Sequence, residues 1–145
     1  MNVKVKRLTK TAVIPEKGSK YSAGFDLSAD INSDMIIFPH TTVKIPTGLS
    51  FELPEGYFGA IYARSGLATK QGLRPANAVG VADSDYRGEY IVALYNDSNE
   101  TRIVEPGQRI AQLVIQPYLD CNLVDSAELS ETERGDGGFG STGIK

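Results

Sequence analysis

A chain of 145 residues has room for one domain, and a domain of that size buries roughly 70% of its unfolded surface. Its 41% hydrophobic and 23% charged residues are ordinary for a globular protein, and no apolar run is long enough to span a bilayer. The net charge of −3 excludes bulk electrostatic attraction to nucleic acid, while a single cysteine (Cys121) and a single histidine (His40) exclude an internal disulfide and a zinc site built on those residues.

The N-terminus alternates Val3 and Val5 with Lys4 and Lys6, which predicts a half-buried strand over residues 2–8. It lacks the apolar stretch of a signal peptide, so the expected compartment is the cytoplasm, with no membrane and no direct nucleic-acid contact. Residues 9–22 are polar and carry Pro15 and Gly18, a loop. Ala23 to Leu27 reads as a short strand holding Asp26, a residue type depleted in strands; locally it is a strand-edge acid facing solvent. Strands follow at Met35–Pro39, Thr42–Pro46, Leu49–Leu53 and Tyr57–Tyr62, the last two joined by the turn at Pro54-Glu-Gly56.

The β rhythm breaks at Arg64-Ser65-Gly66. Ser65 is a candidate N-cap, helix-tolerant residues run to Gln71, and Gly72 stops the helix. Such a terminus gathers backbone N–H groups, a hydroxyl and a guanidinium, which suits an anion as readily as it suits a plain capped helix.

The chain then reaches Asn77-Ala-Val-Gly-Val-Ala-Asp83-Ser-Asp-Tyr86-Arg-Gly-Glu89. If Val79 to Asp83 is extended, Val79, Val81 and Asp83 face one way and Gly80 and Ala82 the other. The flanking valines are expected to desolvate Asp83 in part and make it a better proton acceptor. Asp85 to Gly88 has the composition of a type I turn, and Tyr90 to Tyr95 is a β-prone run, so the stretch predicts a hairpin with a carboxylate at its mouth. Taken alone, it reads first as a surface hairpin with an acidic turn, and only its neighbours favour a functional reading.

Thr101 to Val104 is expected to pair back, and Pro106-Gly107 to turn into a strand from Arg109. Ile110, Gln112 and Val114 then share a face, so Gln112 needs a buried partner or a ligand. Residues 118–124 form a possible last strand. The tail from Arg134 to Gly143 nearly matches a P-loop but lacks its lysine and its flanking strand and helix. It reads as a flexible glycine-rich end, or as a segment able to fold over a nucleotide with Phe139 on the base and Arg134, Ser141 and Thr142 on phosphate. About a dozen short strands and one helix predict an all-β domain, a distorted jelly roll or barrel, over residues 1–133, with a C-terminal arm over 134–145.

Five segments in order carry a resemblance: Ala23-Gly-Phe-Asp-Leu27, Ala63-Arg-Ser-Gly-Leu-Ala68, Gly80-Val-Ala-Asp-Ser-Asp-Tyr-Arg-Gly-Glu89, Pro106-Gly-Gln-Arg-Ile-Ala-Gln-Leu113 and Arg134-Gly-Asp-Gly-Gly-Phe-Gly-Ser-Thr-Gly143. Together they resemble the trimeric dUTPases. The resemblance implies a β jelly roll assembled as a homotrimer, with sites between subunits. It implies hydrolysis of dUTP to dUMP and pyrophosphate with Mg²⁺, which keeps uracil out of DNA and supplies dUMP for dTMP synthesis.

Carried over residue by residue, Asp83 looks like the acid that activates water at the α-phosphorus. Tyr86 would pack on the deoxyribose and exclude a 2′-hydroxyl. Asn77 and the backbone at Gly80 and Val81 would read the uracil edge. Arg64, Ser65 and Gly66 would hold phosphate from a neighbouring subunit, and Gln112 would bond the α-phosphate or the water. Asp26 would reach the metal through water. Phe139 would stack on uracil, with Arg134, Gly140, Ser141 and Thr142 around the terminal phosphate.

Ala82 departs from the pattern, which more often has a larger aliphatic there, so packing beneath the stretch should differ. The alternatives are a dCTP deaminase-like enzyme, which would carry a second serine after Arg-Ser, and a nucleotide-gated regulatory protein with a partner, as phage-borne relatives suggest.

Overall fold

The computed structural model describes residues 1–139, and the arm residues Gly140, Ser141 and Thr142 lie outside that range. The fold is all-β with one short helix. Eleven strands are present among the described residues, every one three to nine residues long. Four strands form the largest sheet, in the order β2 (Phe25–Ser28), β11 (Arg109–Pro117), β6 (Tyr57–Tyr62) and β8 (Gly80–Ala82). A second sheet runs β4 (Thr42–Pro46), β9 (Ile91–Asn96), β7 (Leu73–Pro75). Two ribbons complete the wall: β1 (Lys4–Arg7) on β5 (Leu49–Glu52), and β10 (Arg102–Val104) on β3 (Met35–Ile37). All the pairings are antiparallel.

Alternation explains why these segments are strands. In β9, Val92, Leu94 and Asn96 are buried while Ile91 is exposed and Ala93 and Tyr95 are half-buried. Leu27, Ile37, Ile45, Leu49, Leu73, Leu94 and Leu113 meet in one apolar cluster drawn from all four sheets. Asn96 is fully buried, and its amide donates to the carbonyls of Ile37 and Glu100 at 3.0 and 2.7 Å, so it costs little to bury and ties two sheets together.

Several expected pairings are replaced. The hairpin is absent: β8 pairs with β6 and β9 pairs with β4 and β7, so Asp83 to Glu89 crosses between two sheets. The strand at residues 101–104 pairs with β3 rather than back on β9. Among the described residues no strand follows Pro117; residues 118–130 are exposed, including Leu119, Leu123, Val124 and Leu129.

The helix α1 (Ser65–Gln71) begins differently from expectation. Arg64, extended at φ −83° and ψ 128°, holds the cap position, Ser65 is the first helical residue, and no side chain caps the end. That extended backbone carries the Arg64 side chain to β2, which explains why the cap is forgone. Gly72 ends the helix in the left-handed region at φ 68°, and its N–H bonds the Leu67 carbonyl. Among the described residues no helix is long and apolar enough to cross a membrane.

Candidate active site

A cleft of about 270 Å³ opens where the edge strand β8 parts from the start of β9. Asn77, Gly80, Val81, Ala82, Asp83 and Tyr86 line it, with Glu89, Tyr90, Ile91 and Ile61. Local geometry puts them there. The turn after β7 places Ala78 in the left-handed region at φ 61°, with the Ala78 N–H bonded to the Pro75 carbonyl at 3.0 Å, and this bend presents Asn77. A non-glycine residue there stores about 1 kcal/mol or more, strain of a kind that gathers at functional sites. Along β8 the alternation is as expected: Gly80 and Ala82 are buried and Val81 is 65% exposed.

The reverse turn falls two residues earlier than its composition suggests. The Tyr86 N–H bonds the Asp83 carbonyl at 3.2 Å, which makes Asp83, not Asp85, the first residue of the turn. Asp83 is therefore exposed at the end of β8, and the expected desolvation by Val79 and Val81 does not occur within one chain, because both valines are themselves exposed. The last acid of the segment, Glu89, accepts the Gly48 N–H at 2.7 Å and anchors the crossover to the β4–β5 turn.

A second group forms on the far side of the large sheet. Asp26 on β2 accepts from Arg64 Nε at 2.8 Å through one oxygen and from Arg109 at 3.0 Å through the other. Gln112 on β11 is the register partner of both Asp26 and Tyr62, and its amide donates to the Ala63 carbonyl at 2.9 Å. A bulge between Arg109 and Ala111 resets the strand, so Ala111 and Leu113 enter the core and Gln112 does not share a face with Ile110 as expected. Ser65 and Gly66 lie exposed beside Arg64.

Asp26 and Asp83 stand at opposite edges of that sheet, on strands three spacings or roughly 14 Å apart, and are further offset along the strands, Asp26 level with Tyr62 of β6 and Asp83 just past the level of Gly59. One chain thus carries two separate groups of candidate site residues. In the tail, Arg134 donates to the Gly137 carbonyl at 2.8 Å and Phe139 is fully exposed, so neither touches the cleft. A larger groove of about 570 Å³, lined by Val3, Val5, Phe25, Phe51 and Ile115 among others, contains none of the expected site residues.

The donor set suits a divalent cation only indirectly. Among the described residues no cluster of three acids, histidines or cysteines exists, and Asp26 is flanked by two guanidiniums. Each of its oxygens keeps a free lone pair, enough to hold a water of a hydrated ion but not the ion itself.

A family model described as dUTPase matches residues 10–143. The chain belongs to the dUTPase family. A deoxyuridine 5'-triphosphate nucleotidohydrolase of Desulfitobacterium hafniense is 47% identical over 99% of this chain and 98% of its own. That of a Hydrogenobaculum species is 46% identical over the full length of both. Among solved structures, the dUTPase of Staphylococcus bacteriophage 80alpha with dUpNHpp superposes with a TM-score of 0.85 at 30% identity, covering 99% of each chain. A dUTPase of phage phi11, described with a species-specific insert, is 25% identical with a TM-score of 0.80.

Within this dUTPase frame, two residues at the site escaped sequence reasoning. Arg109 stood inside a recognised segment but had no assigned role until its bond to Asp26 appeared. Tyr90 read as one more β-prone residue. It is 2% exposed, stacks on Phe51 at 4.5 Å, and has a hydroxyl with no hydrogen-bond partner. Burial pushes its phenol up to about 12, with the nearby Tyr86 and Asp83 adding and Arg87 opposing. Only a register showing which residues face it could have revealed this.

Proposed function

We propose that the chain hydrolyses dUTP to dUMP and pyrophosphate, with Asp83 as general base. The observation that carries this is the convergence of Asn77, Gly80, Val81, Asp83 and Tyr86 on one cleft of pyrimidine-nucleoside size. The buried Gly80 brings backbone close to the ring plane, so its peptide groups and the Asn77 amide can read the base edge. Tyr86 walls the sugar. The Asp83 carboxylate takes a proton from water as the water oxygen bonds the α-phosphorus. The bridge to the β-phosphorus then breaks, and pyrophosphate leaves.

The phosphate-holding half is supplied by a second subunit. Gln112 is level with Tyr62 at one end of β6 and Arg64, Ser65 and Gly66 lie just beyond it, whereas Asp83 leaves β8 at the other end, past the Ala82–Gly59 pair; the two groups do not meet at one phosphorus within a chain, and a homotrimer brings those of different subunits together. The arm, with Arg134 and Phe139 and beyond it Gly140, Ser141 and Thr142, closes over the nucleotide. Mg²⁺ would be held mainly by the triphosphate, with Asp26 on its water shell, and would offset phosphate charge. The expected role is removal of dUTP and supply of dUMP in the cytoplasm.

Pyrophosphate release compared across dUTP, dTTP, dCTP and UTP, with and without Mg²⁺, tests the reading. Rapid release from dUTP alone, dependent on Mg²⁺, is the expected outcome. Ammonia release from dCTP would replace it with the deaminase reading.

A further inference from the structure

Tyr90 has no assigned work in that scheme, yet three observations converge on it. Its ring packs on the core residue Phe51 with centroids 4.5 Å apart and planes tilted by 47°, and it also meets Tyr86 at 6.0 Å and a tilt of 36°. A Cβ placed on Gly59 would lie 3.3 Å from its hydroxyl oxygen, and Gly59 is the register partner of Ala82. The hydroxyl end of the ring therefore occupies space left by the missing side chain of Gly59. The hydroxyl finds no partner there, so what keeps a tyrosine in the position is the ring.

Tyr86 is held from the other directions as well. Its hydroxyl donates to the Glu89 carbonyl at 3.1 Å, and a Cβ on Gly88 would stand 2.5 Å from its Cζ, so the ring lies directly across bare backbone. Refusing one added hydroxyl on a sugar demands a wall that does not yield. A pocket that merely tolerates an extra hydroxyl discriminates by about a hundredfold at most. A ring that is 46% exposed on a crossover would swing aside unless something behind it were fixed.

We propose that Tyr90 is a positioning residue for sugar selection: seated on Phe51, it backs the Tyr86 ring while Gly88 gives that ring room, and together they hold it where a ribonucleotide cannot enter. This rests on reading the cleft as a deoxynucleotide site and deepens it.

The experiment measures kcat and KM for dUTP and UTP, by pyrophosphate release, in the full chain and in Tyr90→Leu, Tyr90→Phe and Gly88→Ala. Tyr90→Leu lowers the dUTP-to-UTP ratio of kcat/KM by about tenfold, chiefly through a lower KM for UTP, while kcat on dUTP changes by less than about threefold. Tyr90→Phe restores the ratio. Gly88→Ala reproduces the loss with Tyr90 untouched.

If the leucine variant does not fold by circular dichroism, Tyr90→Met takes its place. A folded leucine or methionine variant that keeps the parent ratio overturns the proposal. So does a loss that falls equally on both nucleotides through kcat. A parent protein with no preference for dUTP removes the deoxynucleotide reading itself, and this inference with it.

Discussion

The proposed base, Asp83, sits at the first position of a turn at the end of an edge strand and is exposed in its own chain. Replacing it with asparagine keeps the turn, since either side chain suits that position. Asp83→Asn should therefore bind dUTP by calorimetry much as before while turnover falls by about a thousandfold, the scale of a lost general base; turnover within tenfold of the parent would mean the base lies elsewhere. Tyr90 gives a second residue-scale expectation. Its phenol titrates near 12 in the folded protein against 10.0 for an unhindered one. Below pH 10 both states are neutral and nothing changes. Between about 10 and 12 the unfolded chain gives up the proton and the folded chain keeps it, so stability falls with rising pH by at most about 3 kcal/mol. Melting curves from pH 9 to 12 should show a shallower decline for Tyr90→Phe than for the parent.

At the scale of elements, the strands themselves were legible because alternation is local, and β8 showed which of its residues face inward. Their partners were not. Val79 to Ala82 followed by a turn-like segment and another β run looks like a hairpin, but pairing is decided by which buried faces meet, and Gly80 and Ala82 fit against Ile61 and Gly59 of β6. The bulge at Arg109 likewise left no mark in the residue pattern, yet it sets which way Gln112 points. Five spaced segments named the candidate site residues, but not the ion cluster between β2, β11 and the start of α1. Asp26→Asn removes a half-buried carboxylate from between two arginines. Because Asp26 is only partly shielded, the expected loss is about 1 kcal/mol, read as a lower Tm. The same variant should need more Mg²⁺ for half-maximal activity; an unchanged Mg²⁺ titration would place the metal's water shell away from residue 26.

For the whole molecule, assembly is the issue sequence could not resolve, since a buried interface and a buried core are both written in apolar residues. Leu119, Leu123, Val124 and Leu129 are 83–97% exposed on a stretch with no strand of its own, and Asp26 and Asp83 belong to opposite edges of one sheet. Sedimentation should give a trimer at micromolar concentration, and a monomer of full activity would refute the shared site. Truncation after Glu133 should leave the trimer and its melting curve intact while the rate on dUTP drops by about a hundredfold or more, as lost positioning does; an unaltered rate would make the arm a bystander. One consequence follows from the crossover between Asp83 and Glu89. Its ends are rooted in separate walls, at β8 and at β9, with a third tether from Glu89 to Gly48. Any slippage of those walls must misalign base and water before either wall comes apart. Warming should silence the enzyme reversibly at temperatures where its circular dichroism is still that of the native fold.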